Sequence, residues 1–331
     1  MIQFLADQID QMDLAIDQLA MRDRNLDRFA IMLIDNVVEL TLHTHAENLS
    51  YTSYSYLNPD KRPYDQKLIR DALGQQFDRK VKLAKASEMV QSEICESINY
   101  LHSFRNTAYH SGRRHEGILH ALAIFYFKNA CTVLQKFRPF VWSYGDSDKV
   151  SLRAMKYLGK IEFMASQEGF GLAWKRMLEI AESMEDSLIS DLHTDMSSTI
   201  EKTDKDINFL LENSTHHNED RKTVLIEVQL WPAFHTAATD DFLERAGHTT
   251  LSDREKIDYL RANYNWPLKS DPIPSWRNRL QSLRNEKNPH RALKKYCDFH
   301  TQTEQIRMEI REAVFQLDSH IQNEIDYYRG K

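Results

Sequence analysis

The chain is expected to fold entirely as α-helices, in two helical domains, and three observations say so. Only nine glycines and eight prolines occur in 331 residues, while Leu, Ile, Met, Glu, Gln and Asp, which favour or tolerate helix, are abundant. No proline precedes Pro59 and no glycine precedes Gly74, so the first fifty residues hold no strong breaker. Apolar residues recur at i, i+3 and i+4 in nearly every segment between turn formers. The length suits two domains of ordinary size, each with its own core.

Residues 2–26 place Ile2, Ile9 and Ile16 at one heptad position and Leu5, Met12, Leu19 and Leu26 at another. That pattern fits a coiled-coil or dimer contact made by an N-terminal extension, residues 1–21, and it equally fits a helix lying on its own domain. Arg28 to Leu42 is apolar nearly all round except for Asp35, Asn36 and Glu39, so a mostly buried helix is expected. Asp35 and Glu39, at i and i+4, share one face. A buried carboxylate needs a partner such as arginine, so this face is expected to look toward Arg105 and His110; a solvated stripe is the alternative.

Asn48 to Tyr64 reads as a loop, its tyrosines either pinning it to the bundle or, beside Lys61 and Arg62, stacking on bases. Helices are expected over about 65–86, interrupted at Gly74, then 88–109 and 116–137. Turn formers and charges in Trp142–Lys149 mark the boundary between a first domain, 22–142, and a C-terminal domain, 150–331. There, helices are expected over 152–164, 171–192 and 197–213. Thr223 to Trp231 alternates like a strand, but one strand makes no sheet, so it reads as helix or extended chain. Ser252 followed by Glu255 is a capping box opening a helix over 251–263. Trp266 to Trp276 reads as a Pro-rich connector, and a last long helix covers 289–328.

A net charge of −6 gives no general basic footprint for nucleic acid, so any polyanion site must be local. Three separated cysteines, Cys95, Cys131 and Cys297, suggest reduced structural thiols. No apolar run approaches a membrane span and no signal-peptide pattern opens the chain, so a soluble cytoplasmic protein is expected. Glu39, His43 and His45 lack a second carboxylate–histidine pair at matching spacing and read as helix surface. No metal or cofactor site is therefore expected.

The chemistry concentrates in Leu101–Gly112. Ile94, Ile98, Leu101 and Phe104 continue an amphipathic helix that carries His102, Arg105, Asn106, Tyr109 and His110, and Arg113, Arg114 and His115 follow directly. This is a basic island in an acidic chain, where a phosphate would bind. Five helical steps turn about 500°, which sets Arg105 and His110 roughly 140° apart. They converge only if the helix ends or unwinds near Tyr109.

Arg105-Asn106 followed by His110, at the end of a helix and ahead of a basic loop and a long apolar helix, resembles the Arg-x4-to-6-His signature of the HEPN superfamily. Arg28–Leu40 resembles that family's first core helix and Ala72–Val81 its second, so the likeness covers roughly residues 22–140. It implies a compact helical bundle and a metal-independent endoribonuclease acting in toxin–antitoxin or abortive-infection defence. RNA supplies its own 2'-hydroxyl nucleophile, so cleavage needs only proton transfer and stabilisation of the phosphorane charge. By resemblance, His110 is the general acid/base, Arg105 the phosphate clamp and Asn106 its positioning neighbour. Tyr109, His102, Arg113 and Arg114 are secondary substrate contacts, with Asp35 and Glu39 in support. One His–Arg pair lacks a second proton-transfer group, and a homodimer with a composite site would supply one. The resemblance implies RNA as substrate and an antitoxin or regulatory protein as partner, with no membrane involved. A non-catalytic module of the same family, binding nucleotide, RNA or protein, is the alternative. Arg284 and His290 fit a loose second copy of the signature, but Pro289 interrupts it and it is read as coincidence.

Overall fold

The computed structural model describes residues 1–54, 64–111, 117–140, 149–158, 167–185, 187–213, 220–234 and 236–330, apart from the side chains of 54, 108–111 and 167. The fold is all-α, and no strand occurs among the described residues. In order the helices are α1 (Ile2–Ala20), α2 (Arg24–Tyr54), α3 (Gln66–Ala72), α4 (Phe77–Ala86), α5 (Ser92–Ser111), α6 (Leu119–Lys136) and α7 (Leu152–Leu158). They continue as α8 (Gln167–Ser183), α9 (Leu188–Glu212), α10 (Arg221–Ala233), α11 (Ala237–Arg245), α12 (Asp253–Asn263), α13 (Ile273–Arg284) and α14 (Pro289–Tyr328).

Two compact units divide the chain: Met1–Leu192 with Glu286–Lys294, and His193–Asn285 with Lys295–Lys331. The division expected at 142–150 falls inside the first unit's range. Helices α7 and α8, expected in the C-terminal domain, belong to the first unit, where α7 packs on α1 and α8 on α6. A buried carboxylate makes the first of these contacts specific. Asp13 of α1, 2% exposed, accepts hydrogen bonds from Arg153 at 2.6 Å, Lys156 at 2.9 Å and the Tyr157 hydroxyl, all on α7.

In the first unit α2 is central and packs on α1, α3, α4, α5 and α6. Ile2, Leu5, Ile9, Met12 and Leu19 of α1 are each at most 3% exposed. The Ile/Leu stripe of the N-terminal helix is thus covered within its own unit. Burying each of these side chains contributes roughly 1.5–3 kcal/mol. Helix α2 runs through Tyr54, so the loop expected from Asn48 is helical over its first residues. Nor is α2 buried all round: Phe29 is 55% exposed and Leu40 38%. Helix α4 ends in a Schellman motif, with the Met89 N–H donating to the Ala84 carbonyl and the Glu88 N–H to the Lys85 carbonyl, while Glu88 takes the left-handed conformation at φ 57°.

The second unit has its own core of Leu230, Phe234, Leu243, Leu260 and Trp266. The strand-like stretch is helix α10, burying Val224, Leu225, Val228 and Gln229 at helical spacing, with Pro232 in its last turn. The capping box at Ser252 is formed as expected. Trp266–Trp276 is a connector only as far as Pro272, where α13 begins. Arg284 and His290 fall in different units, and His290 is engaged in the first, its Nδ1 2.8 Å from the Ser97 hydroxyl.

Candidate functional site

Helices α2, α4, α5 and α6 bring a polar cluster together around Asp35. The carboxylate sits on an otherwise apolar face of α2 and is fully buried. Burying a charge there is unfavourable unless donors surround it. Three residues do. The Tyr126 hydroxyl of α6 donates to Oδ1 at 2.6 Å, and His102 Nδ1 of α5 lies 2.9 Å from Oδ1 and 3.1 Å from Oδ2. Arg105 Nε, one turn further along α5, is 3.3 Å from Oδ2, an ion pair whose angles fall short of a hydrogen bond.

Two of the three donors are held from a second side as well. The His102 ring stacks on Phe77 of α4, with centroids 3.9 Å apart and planes 2° from parallel. Arg105 Nη1 donates to Asn106 Oδ1 at 2.9 Å. Burial, with the Asp35 charge next, raises the Tyr126 phenol well above its ordinary value, so it stays a donor. Glu39, one turn beyond Asp35, pairs instead with the buried Lys80 at 3.4 Å, and Lys80 also donates to the Gly74 carbonyl at 2.6 Å.

The expected meeting of the α2 carboxylates with the basic island is therefore formed at Asp35 and Arg105, whereas Glu39 turns to α4. The end or unwinding near Tyr109 on which convergence of Arg105 and His110 depends is absent, because α5 continues through Ser111. Positions 105 and 110 are thus roughly 140° apart on that helix, while 102 and 105 share a face. The side chains of Tyr109 and His110, and all of Arg113 and Arg114, lie outside the described residues.

Sequence reasoning missed Tyr126, Phe77 and Lys80. Tyr126 left one usable signal: a hydroxyl within the apolar run Ala123–Phe127 demands an acceptor. A second polar pair on the same two helices, Asp27 with His120 Nδ1 at 2.7 Å, was missed likewise. Among the described residues no three His, Cys, Asp or Glu side chains gather as metal ligands. No helix among them is long and apolar enough to cross a membrane. A shallow surface hollow bounded by Leu5, Leu134, Phe170 and Trp174 shares no residue with the Asp35 cluster.

Fold and site together define an all-α protein with a guanidinium and an imidazole convergent on one buried carboxylate. No protein-family model, no curated protein and no solved structure matches the chain.

Proposed function

We propose that the protein is a metal-independent endoribonuclease of the HEPN type, acting as a toxin or antiviral, abortive-infection effector. The observation that carries this reading is Arg105: its Nε is anchored on the buried Asp35 while a third of its side chain is exposed. Such a guanidinium keeps its charge and is pre-positioned to fork onto phosphate oxygens where negative charge accumulates. The mechanism is attack of the RNA 2'-hydroxyl on the adjacent phosphate, with Asn106 orienting Arg105 and with His110 as general acid/base; because positions 105 and 110 stand roughly 140° apart on one continuous helix, the histidine acting beside a given Arg105 comes from the second copy. Arg113, Arg114 and Tyr109 are assigned as further substrate contacts by the same likeness of sequence. A homodimer supplies a composite site from two copies, and the second unit serves regulation, target choice, or binding of an antitoxin-like partner. The expected place of action is the cytoplasm.

The alternative, a non-catalytic module binding nucleotide, RNA or protein, is favoured by one observation. The Arg105 charge is already answered by Asp35, as a purely structural counter-ion would be. Incubating a labelled RNA with the protein in EDTA separates the two. Cleavage that vanishes in both Arg105→Ala and His110→Ala, with the fold retained, supports the nuclease; absent cleavage, or cleavage indifferent to both changes, leaves the binding module.

A further inference from the structure

Resting on the nuclease reading, we propose that His102 is a second proton-transfer residue of the same reaction, so that one chain carries an imidazole on the same helix face as the Arg105 guanidinium. Residues three apart on a helix lie about 60° apart around its axis, and here both side chains reach one carboxylate. A carboxylate only accepts, so Asp35 assigns the proton of the neutral ring to Nδ1 and leaves Nε2 to exchange. The Tyr126 hydroxyl fixes Asp35, and Phe77 stacked on the ring fixes its plane. Asp35 is sealed, whereas the His102 side chain is 20% exposed. A buried carboxylate orienting an imidazole that reaches solvent is the arrangement by which a histidine is held in one tautomer for proton transfer.

The charged and titratable groups of this cluster are Asp35, which pairs with the ring, Arg105 on the same helix and Tyr126 of α6, with Glu39 of α2 acting on Tyr126 and paired with Lys80 of α4. In the reaction the 2'-oxygen forms a bond to phosphorus as the bond from phosphorus to the 5'-oxygen breaks. One imidazole accepts the 2'-hydroxyl proton and an imidazolium gives a proton to the leaving 5'-oxygen. The products are a 2',3'-cyclic phosphate and a free 5'-hydroxyl, with protons conserved. With His102 in one role and His110 in the other, the two proton transfers no longer both fall to the histidine of the signature.

The test compares wild type, His102→Ala, His102→Gln and Asp35→Asn on an oligoribonucleotide and on uridine 3'-(p-nitrophenyl phosphate), whose leaving group needs no proton. All assays are run in EDTA across pH, with folding checked by thermal melting. Glutamine still donates to Asp35 but moves no proton. Both His102 variants are expected to lose about 10²- to 10⁴-fold on RNA together with one limb of the pH–rate profile. Retained cleavage of the activated ester then marks His102 as the acid, and equal loss marks it as the base. Asp35→Asn is expected to slow RNA cleavage less than either His102 variant. An active wild type whose His102→Gln variant is equally active overturns the proposal alone, as does a variant slowed on both substrates with both pH limbs intact. A wild type inert on RNA overturns the proposal together with the nuclease reading.

Discussion

The Tyr126 hydroxyl donates to Asp35 Oδ1 at 2.6 Å in a place where both residues are fully buried. The bond joins α2 to α6 inside the first unit and fixes the carboxylate on which α5 hangs His102 and Arg105. A hydrogen bond to a charged group contributes about 1.5–3 kcal/mol, and removing one member of a buried pair costs more because the rest is stranded. Tyr126→Phe is expected to lower stability by about 2 kcal/mol and Asp35→Ala by about 3 kcal/mol, read from urea midpoints at constant m. An Asp35→Ala variant as stable as wild type would show that this carboxylate anchors nothing.

Lys80 and Glu39 are expected to respond unequally to removal of their partner. Lys80 is 3% exposed and depends on Glu39 and the Gly74 carbonyl, whereas the Glu39 side chain is 32% exposed and can hydrate. Glu39→Ala strands a buried ammonium and should cost about 2 kcal/mol, while Lys80→Met removes the buried charge and should change stability by less than about 1 kcal/mol. Equal losses in denaturant titrations of the two variants would contradict the asymmetry.

Glu88 occupies the left-handed position of the Schellman motif at φ 57°, a conformation that crowds any side chain's Cβ. Glycine has no such penalty but loses more freedom on folding. The balance predicts that Glu88→Gly raises stability by about 0.5 kcal/mol, seen as a higher melting temperature. An equal or lower melting temperature would mean that Glu88 makes a compensating contact.

The Asp35–Arg105 pairing was one of two readings open in the sequence: a buried carboxylate on an apolar helix needs a cationic partner, and a solvated stripe was the alternative. Tyr126 and His102 were not placed on Asp35, because those contacts span 91 and 67 residues and leave no periodic trace. Helix ends misled where solvated faces imitate loops. Asn48 to Ser53 are polar or aromatic enough to suggest a turn, yet they continue α2, with Ser53 buried and Tyr51 exposed. The alternation of Val224, Ile226, Val228 and Leu230 suggested a strand, but burial falls on Val224, Leu225, Val228, Gln229 and Leu230, neighbours in the chain that a strand would split between its two faces. The unit boundary was hidden because α9 and α14 each run across it without a breaker.

His45 couples stability of the first unit to pH. Its ring lies 2.8 Å from the Ser87 hydroxyl, at the end of α4, and burial lowers its pKa from the ordinary 6.5 to about 4. The unfolded chain therefore binds a proton below pH 6.5 that the folded chain refuses until about pH 4. Stability from this group is complete above 6.5, falls as pH drops between those values, and levels off below. The full interval corresponds to about 3 kcal/mol, of which about 2 kcal/mol is lost by pH 5. His45→Gln keeps a polar group opposite Ser87 and cannot take up the proton, so its unfolding free energy should decline less than wild type between pH 7 and pH 5 by that amount. Urea titrations of both proteins at the two pH values measure it, since the other titrating groups are common to both. Parallel pH dependence in the two proteins would show that the folded state accepts a proton on His45 as readily as the unfolded chain does.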